Sequence, residues 1–245
     1  MPNLSKYEKH ALKEIHSWKE PDVGWFGKAM KVVNQPLDKA GDLLFKTPGV
    51  GPVIQSAIEG LTSNNPNPLS HATGIDAVRK INRWLLKAYA DGSDLEARIQ
   101  MSEAAHLAGI AFDDAMTHIG HETADGMSIN FHTPHGIGCA LALPPTCELV
   151  GPAKPEVMRE IAEAMDLPLT GAETGEELGR LVAGRIRDIM HETGIPSIAA
   201  LGFAREDMLK VAEETESSHI STFCPIPVTR EVAQAFCYAV FDSYQ

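Results

Sequence analysis

"HIGHETADGMSINFHTPHGIG", residues 118–138, holds four of the ten histidines of the chain. Its first half predicts a helix in which His118, His121 and Asp125 lie three and four residues apart. A continuous helix stacks residues at these spacings on about one face. That face is the first candidate for metal binding in the sequence.

The second half of the stretch, "HTPHG", predicts the start of another helix. Thr133 is the expected N-cap and Pro134 the first helical residue, which puts His135 in the first turn. A helix end followed by a helix start can bring two imidazoles together, and neutral imidazole suits iron, zinc or copper. Spacing alone favours histidines at the surface or hydrogen-bonded in the core, because no HExxH or CxxC pattern is present.

Outside this stretch, most periodic segments repeat at helical spacing, and strictly alternating strand patterns are scarce. We expect an all-α fold without a Rossmann domain. The expected helices cover residues 75–90, a long segment after Ser93, residues 154–165, 173–192 (stopped by Gly194) and 205–217, and the segment after Thr229. "TSNNPNPLS", residues 62–70, has little to bury and favours turns, so we expect it to link residues 1–61 to a helical domain over residues 71–245.

Composition excludes several classes of function. The formal net charge of −12 disfavours binding to a phosphate backbone, so we expect no nucleic-acid partner. No signal peptide and no apolar run long enough to span a membrane is evident, which predicts a cytoplasmic protein without a transmembrane segment. The four cysteines show no CxxC spacing, and we expect buried thiols.

Several motifs occur together in residues 70–245: "HATGIDAV", "LLKAYADGSDLEARIQMSEAAHLAGIAF", "HIGHETADGMSINFHTPHGIGCALALP" and "FCPIPVTREVA". In this order they resemble the C-terminal helical domain of the iron-containing, group III alcohol dehydrogenases. That resemblance implies a helical domain that holds divalent iron or zinc through one aspartate and three histidines. It also implies a separate Rossmann-like domain for NAD(P).

Carried over residue by residue, the resemblance implies Asp76, His121 and His135 as metal ligands, and it places a further histidine near the nicotinamide on Asp125. The fourth ligand falls on Lys80, whose ammonium has no free lone pair for a cation. In an alternative alignment, the segment that carries this ligand is deleted. Two imidazoles and a carboxylate still form a set that can bind Fe²⁺ or Zn²⁺.

The resemblance also implies a reaction in which the ion stabilises an alkoxide while hydride passes to the nicotinamide. "PGVGPVI", residues 48–54, is the nearest candidate for a phosphate-binding turn. It has Gly49 and Gly51 but lacks a third glycine, and Pro52 removes an N–H donor. We therefore expect no cofactor-binding residues, no NAD(P) binding by this chain alone and loss of the dehydrogenase reaction. The alternative is an active alcohol or aldehyde oxidoreductase that uses NAD(P) with a partner chain.

"LSKYEKHALKEIHSWKEPDVGWFGKAMKVVNQPLDKAGDLLFKTPGVGPVIQSAIEGL", residues 4–61, resembles the N-terminal part of EcsC family proteins. The chain is thus expected to be a fusion of two truncated families. A second alternative makes this segment an interaction or membrane-surface element, because Trp18, Trp25 and Phe26 lie near lysines. A helical domain without its nucleotide domain should expose apolar surface on the cleft face, so we expect that the EcsC-like helices, a partner chain or a homo-oligomer covers this face.

Overall fold

The computed structural model describes residues 50–245, and every regular element in that range is helical. The all-α prediction is confirmed, and no Rossmann-type sheet occurs in residues 50–245. The helices are α1 (Val50–Thr62), α2 (Pro68–Ala90), α3 (Leu95–Ala115), α4 (Ile119–Phe131), α5 (His135–Val150), α6 (Pro155–Ala164), α7 (Gly175–Thr193), α8 (Met208–Ser217) and α9 (Arg230–Asp242), with 3-10 turns at Arg205–Asp207 and Ile220–Phe223.

The EcsC-like resemblance falls mainly on residues 1–49, which lie outside the described part of the chain. It stays a prediction, together with the interaction role based on it. None of the helices in residues 50–245 combines the length and the apolar character that crossing a membrane requires.

Helix α1 belongs to the core of the helical domain. Ile54, Ala57, Ile58 and Leu61 are buried and recur at three- and four-residue spacings, which makes one apolar face. This helix packs against α2, α3 and α5. Within the segment 62–70, predicted as a linker between domains, only residues 63–67 are outside helices, and they connect α1 to α2 in the same core.

Helix α5 is the central helix of the described chain. It packs against α1, α4, α7 and α9, and every residue from Gly138 to Cys147 is buried. Such a helix carries apolar residues all round instead of on one stripe. Any polar side chain that it carries near its first turn is therefore close to several other helices.

A tight connection joins α4 to α5. His132 takes a left-handed conformation with φ of 55° at the end of α4, and Pro134 is the residue before α5 begins at His135. Gly138 lies against Ala124 of α4, where an added Cβ would come within 3.0 Å of the Ala124 Cα. The absence of a side chain at Gly138 thus allows the close approach through which α4 and α5 share a site.

Candidate metal centre

His121 on α4 and His135 on α5 face each other across the close contact of the two helices. Their ring centroids are 5.6 Å apart and the rings are tilted by 51°. One nitrogen of each ring and the Sγ atom of Cys139 all lie within 4.8 Å of one another. Among residues 50–245, this is the one group of three histidine, cysteine or carboxylate ligands that converges so closely.

The His121 ring is held by a buried carboxylate from α1. Its Nδ1 lies 2.6 Å from Glu59 Oε2, and the backbone N–H of His121 donates to the same oxygen at 3.3 Å. Because Nδ1 faces a carboxylate, the ring proton is on Nδ1 and the lone pair is on Nε2. Ser56 Oγ lies 3.4 Å from that Nε2 and is the nearest hydroxyl to it.

The His135 ring also has a carboxylate near Nδ1, in an ion-pair contact that lacks hydrogen-bond geometry. Its Nδ1 lies 3.0 Å from Asp125 Oδ1, and its Nε2 lies 3.2 Å from Cys139 Sγ. Both imidazoles thus have Nδ1 near a carboxylate, and each Nε2 faces a neighbouring side chain, Ser56 for His121 and Cys139 for His135. This is the arrangement in which metal-binding histidines are usually oriented.

Cys139 follows His135 by one turn of α5 and is completely buried. Burial, with a smaller effect of Glu59 and Asp125, raises the pKa of the Cys139 thiol well above its ordinary value of 9.0. The expected burial of the cysteines is confirmed, since all four are buried and free. Sequence analysis treated Cys139 only as a core thiol, although its position four residues after His135 places both side chains on one helical face.

Glu59 also contacts His118, at the residue before α4. His118 Nδ1 lies 3.0 Å from Glu59 Oε1, and its Nε2 lies 2.9 Å from Thr62 Oγ1. The Thr62 hydroxyl donates to Ile58 O at 2.8 Å, so it accepts from the His118 ring. Both ring nitrogens of His118 therefore carry protons, and a buried imidazolium faces a buried carboxylate.

The charges of this pair stabilise each other. Burial alone would lower the pKa of His118, but the Glu59 carboxylate and the Cys224 side chain together outweigh burial and raise this pKa to about 9. Burial alone would raise the pKa of Glu59, but His118 and His121 together hold it far below its usual range. Sequence analysis did not identify Glu59, although a glutamate within the apolar run "VIQSAIEGL" was a visible signal of a buried charge.

Gly120 lets the start of α4 lie directly against α1. An added Cβ at this position would come within 2.1 Å of Gln55 Nε2, 2.6 Å of Thr146 Oγ1 and 2.8 Å of Glu59 Oε1. The Gly120 N–H donates to Glu59 Oε1 at 2.8 Å. The close approach of the two helices thus completes the set of donors around Glu59.

The structure does not bring Asp76 to the two histidines. Asp76 lies on α2, where its half-exposed carboxylate pairs with Arg79 at 3.2 Å, and it is not a member of the converging group. Lys80 points elsewhere too, toward Glu103 at 2.9 Å. The third ligand-type side chain beside His121 and His135 is Cys139.

The described part of the glycine-rich segment and the remaining histidine of the 118–138 stretch lie within or at the ends of helices. Gly51 lies within α1, where an added Cβ would come within 2.1 Å of Gly136 O on α5, so it serves helix packing. His132 is exposed and ends α4. Within the described residues, the "PGVGPVI" segment is thus part of a helix from Val50 onward and not a turn after a strand.

A family model described as the C-terminal part of the Fe-containing alcohol dehydrogenase family matches residues 52–240. The 1,3-propanediol dehydrogenase of Klebsiella pneumoniae is 33% identical over 193 residues, which covers 78% of this chain and 50% of that protein. The NAD-dependent methanol dehydrogenase of Bacillus methanolicus is 30% identical over 161 residues, which covers 65% of this chain and 42% of that protein.

Solved structures show the same relationship. A crystal structure of 1,3-propanediol oxidoreductase matches with a TM-score of 0.76 and 28% identity, over 85% of this chain and 53% of that one. An alcohol dehydrogenase from Oenococcus oeni matches with a TM-score of 0.74 and 27% identity, over 85% and 54% of the two chains. The chain spans about half the length of these relatives.

Proposed function

Because this chain belongs to the Fe-containing alcohol dehydrogenase family, through the C-terminal part of that family, we propose that its helical domain binds one divalent metal ion through His121 and His135. The observation that supports this most strongly is the pair of imidazoles with their Nδ1 atoms beside Glu59 and Asp125. Each ring presents Nε2, which is the atom that a metal binds when Nδ1 is engaged.

The bound ion would supply Lewis acidity toward an alcohol or carbonyl oxygen. The residues of this chain contribute position: Glu59 and Asp125 fix the two rings, and Ser56 places a hydroxyl 3.4 Å from His121 Nε2. The His121 and His135 side chains are 14% and 27% exposed, so both rings are partly accessible to solvent. A small oxygen ligand can therefore reach a coordination position that the protein leaves open.

Metal content tests this proposal. The purified chain is incubated with Zn²⁺ or, anaerobically, with Fe²⁺, is desalted, and its metal is measured by mass spectrometry. We expect about one ion per chain, and we expect loss of that ion in the double variant His121→Ala and His135→Ala. His106→Ala is the matched control, since His106 is an exposed histidine on another helix. Equal metal retention by the double variant and the control would contradict the site.

We further propose that this chain alone does not catalyse NAD(P)-dependent alcohol oxidation. The support is that residues 50–245 contain no strand and hence no strand, glycine-rich turn and helix of the kind that holds a dinucleotide pyrophosphate. Metal-loaded protein mixed with NAD⁺ or NADP⁺ and 1,3-propanediol or methanol should give no increase in reduced-cofactor absorbance. A zinc- or iron-dependent increase would show that the chain is active by itself.

We also propose that a partner chain or a second copy of this chain covers exposed apolar surface. Apolar side chains more than half exposed occur on three helices, as Leu69 of α2, Leu95 of α3 and Ile129 of α4. Sizing chromatography with light scattering tests it. A monomer at micromolar concentration would contradict self-association, and an assembly of two or more chains would support it.

A further inference from the structure

We propose that Cys139 is the third protein ligand of the metal site and that its thiolate makes the site selective for zinc over ferrous iron. This inference rests on the proposed function, because it requires His121 and His135 to bind an ion. It goes further by naming a ligand that the resemblance to the family does not imply and by assigning a preference between the two metals that the resemblance does imply.

The placement of Cys139 carries the proposal. Its Sγ is 3.2 Å from His135 Nε2, and the ligand atoms of Cys139, His135 and His121 lie within 4.8 Å of one another. Around a tetrahedral zinc ion, nitrogen and sulfur ligands are separated by about 3.4–3.6 Å, given Zn–N distances of about 2.0–2.1 Å and Zn–S distances of about 2.3 Å. Small side-chain rotations therefore suffice to place all three atoms around one ion.

The aspartate that the family resemblance implies as a ligand is not a member of this converging group. Asp76 is engaged with Arg79 on α2, and Asp125 lies 3.0 Å from His135 Nδ1, where it orients the ring. The fourth position is open to Ser56 Oγ or to water. The donor set that converges is thus two imidazoles and one sulfur, instead of the aspartate and three histidines that the family resemblance implies.

The chemistry of this donor set determines the metal. A thiolate is a soft ligand that favours zinc, whereas replacing a carboxylate by sulfur removes a hard ligand suited to ferrous iron. On binding, the zinc–sulfur bond forms as the S–H bond of Cys139 breaks, and the proton leaves to solvent. Imidazole and thiolate are both ligands of Zn²⁺, and three protein ligands with one open position is the coordination number common to catalytic zinc sites.

Cobalt provides a direct probe, because thiolate coordination to Co²⁺ produces a charge-transfer band in the near ultraviolet. Reduced protein is titrated anaerobically with Co²⁺, as wild type, Cys139→Ser and Cys147→Ser. Cys147 is the control, since it is a buried free cysteine on the same helix. We expect the band in the wild type and in Cys147→Ser, and we expect it to be absent from Cys139→Ser. Circular dichroism checks that both variants fold.

The wild-type spectrum tests the ligand even if Cys139→Ser does not fold. Co²⁺ bound by the wild type without a sulfur band would overturn this inference and leave the proposed function intact. No Co²⁺ or Zn²⁺ bound at all would refute both, so the two failures are distinguishable.

Metal selectivity is measured by competition. Protein is equilibrated anaerobically with equimolar Zn²⁺ and Fe²⁺, desalted and analysed for both metals. Many sites prefer zinc to ferrous iron, so the informative quantity is the change in the zinc-to-iron ratio on mutation. We expect this ratio to fall at least about tenfold in Cys139→Ser and not in Cys147→Ser. An unchanged ratio would overturn the assignment of selectivity to Cys139.

Discussion

His121 and His135 lie on different helices, yet their ring centroids are 5.6 Å apart, and each ring has its Nδ1 beside the carboxylate of a third residue. For His121 that residue is Glu59 on α1, and for His135 it is Asp125 on α4. Three helices thus determine the orientation of two imidazoles.

Asp125→Asn should weaken zinc binding about 10- to 100-fold, because the Asp125 carboxylate lies 3.0 Å from His135 Nδ1 and favours the ring orientation that presents Nε2 to the site. Asp76→Asn is the matched control and should leave the affinity unchanged, since Asp76 pairs with Arg79 on another helix. Competition with a chromogenic chelator measures both dissociation constants. A loss of zinc affinity in Asp76→Asn with unchanged affinity in Asp125→Asn would indicate that Asp76 is a ligand.

Glu59→Ala should lower the free energy of unfolding by about 3–5 kcal/mol, because it leaves the buried His118 without its counter-ion. Glu103→Ala removes a half-exposed partner of Lys80 and should cost at most about 1 kcal/mol. Urea unfolding followed by circular dichroism measures both. Similar costs for the two variants would mean that the buried pair contributes little.

The Glu59–His118 pair predicts a particular dependence of stability on pH. The pKa of His118 is raised from 6.5 to about 9, so its contribution is fully present below about pH 6.5 and is lost as the pH rises through 9. The pKa of Glu59 is lowered from its ordinary 4.5, so its contribution is present above about pH 4.5 and is lost at lower pH. The pair therefore stabilises the fold most between about pH 4.5 and pH 6.5.

Melting temperatures at pH 7 and pH 10 test the predicted loss of stability when His118 is deprotonated. The wild type should lose more stability between the two values than His118→Gln, in which no imidazolium can be deprotonated. An equal loss in both proteins would show that other groups cause the change.

Gly120→Ala should lower the free energy of unfolding by about 1–3 kcal/mol or more, because its Cβ would meet Gln55, Thr146 and Glu59 at 2.1–2.8 Å. Gly184→Ala provides the contrast, since Gly184 lies within α7 and an added Cβ there has no neighbour within 4 Å. That substitution should stabilise the chain by about 0.5–1 kcal/mol. Thermal unfolding distinguishes the two, and destabilisation by both would argue against the specific contact at Gly120.

Much of the helical fold could be predicted because local signals determine it. Gly194 ends α7 in the left-handed conformation with φ of 71°, as a C-terminal glycine should. Thr229 is the N-cap of α9, where its hydroxyl accepts from Val232 N. The long helix predicted to follow Ser93 is capped one residue later, by Asp94. The Ser93 hydroxyl donates to Asp91 instead of capping α3.

The site was less predictable, because it depends on contacts between distant segments. His121 and His135 could be identified through family resemblance, but Glu59 lies more than 60 residues away and reaches His121 only because α1 packs against α4. "TGID" around Asp76 matches the motif of the family by letters alone. That Asp76 on α2 lies outside the converging group depends on helix packing, which no local pattern encodes.

X-ray absorption at the zinc edge of the zinc-loaded chain tests the central claim most directly. We predict a first shell with imidazole nitrogens at about 2.0–2.1 Å and one sulfur at about 2.3 Å, with the outer-shell scattering of two imidazole rings. The double variant His121→Ala and His135→Ala should lack this imidazole scattering. A shell of oxygen atoms without imidazole scattering in the wild-type protein would contradict the metal centre described above.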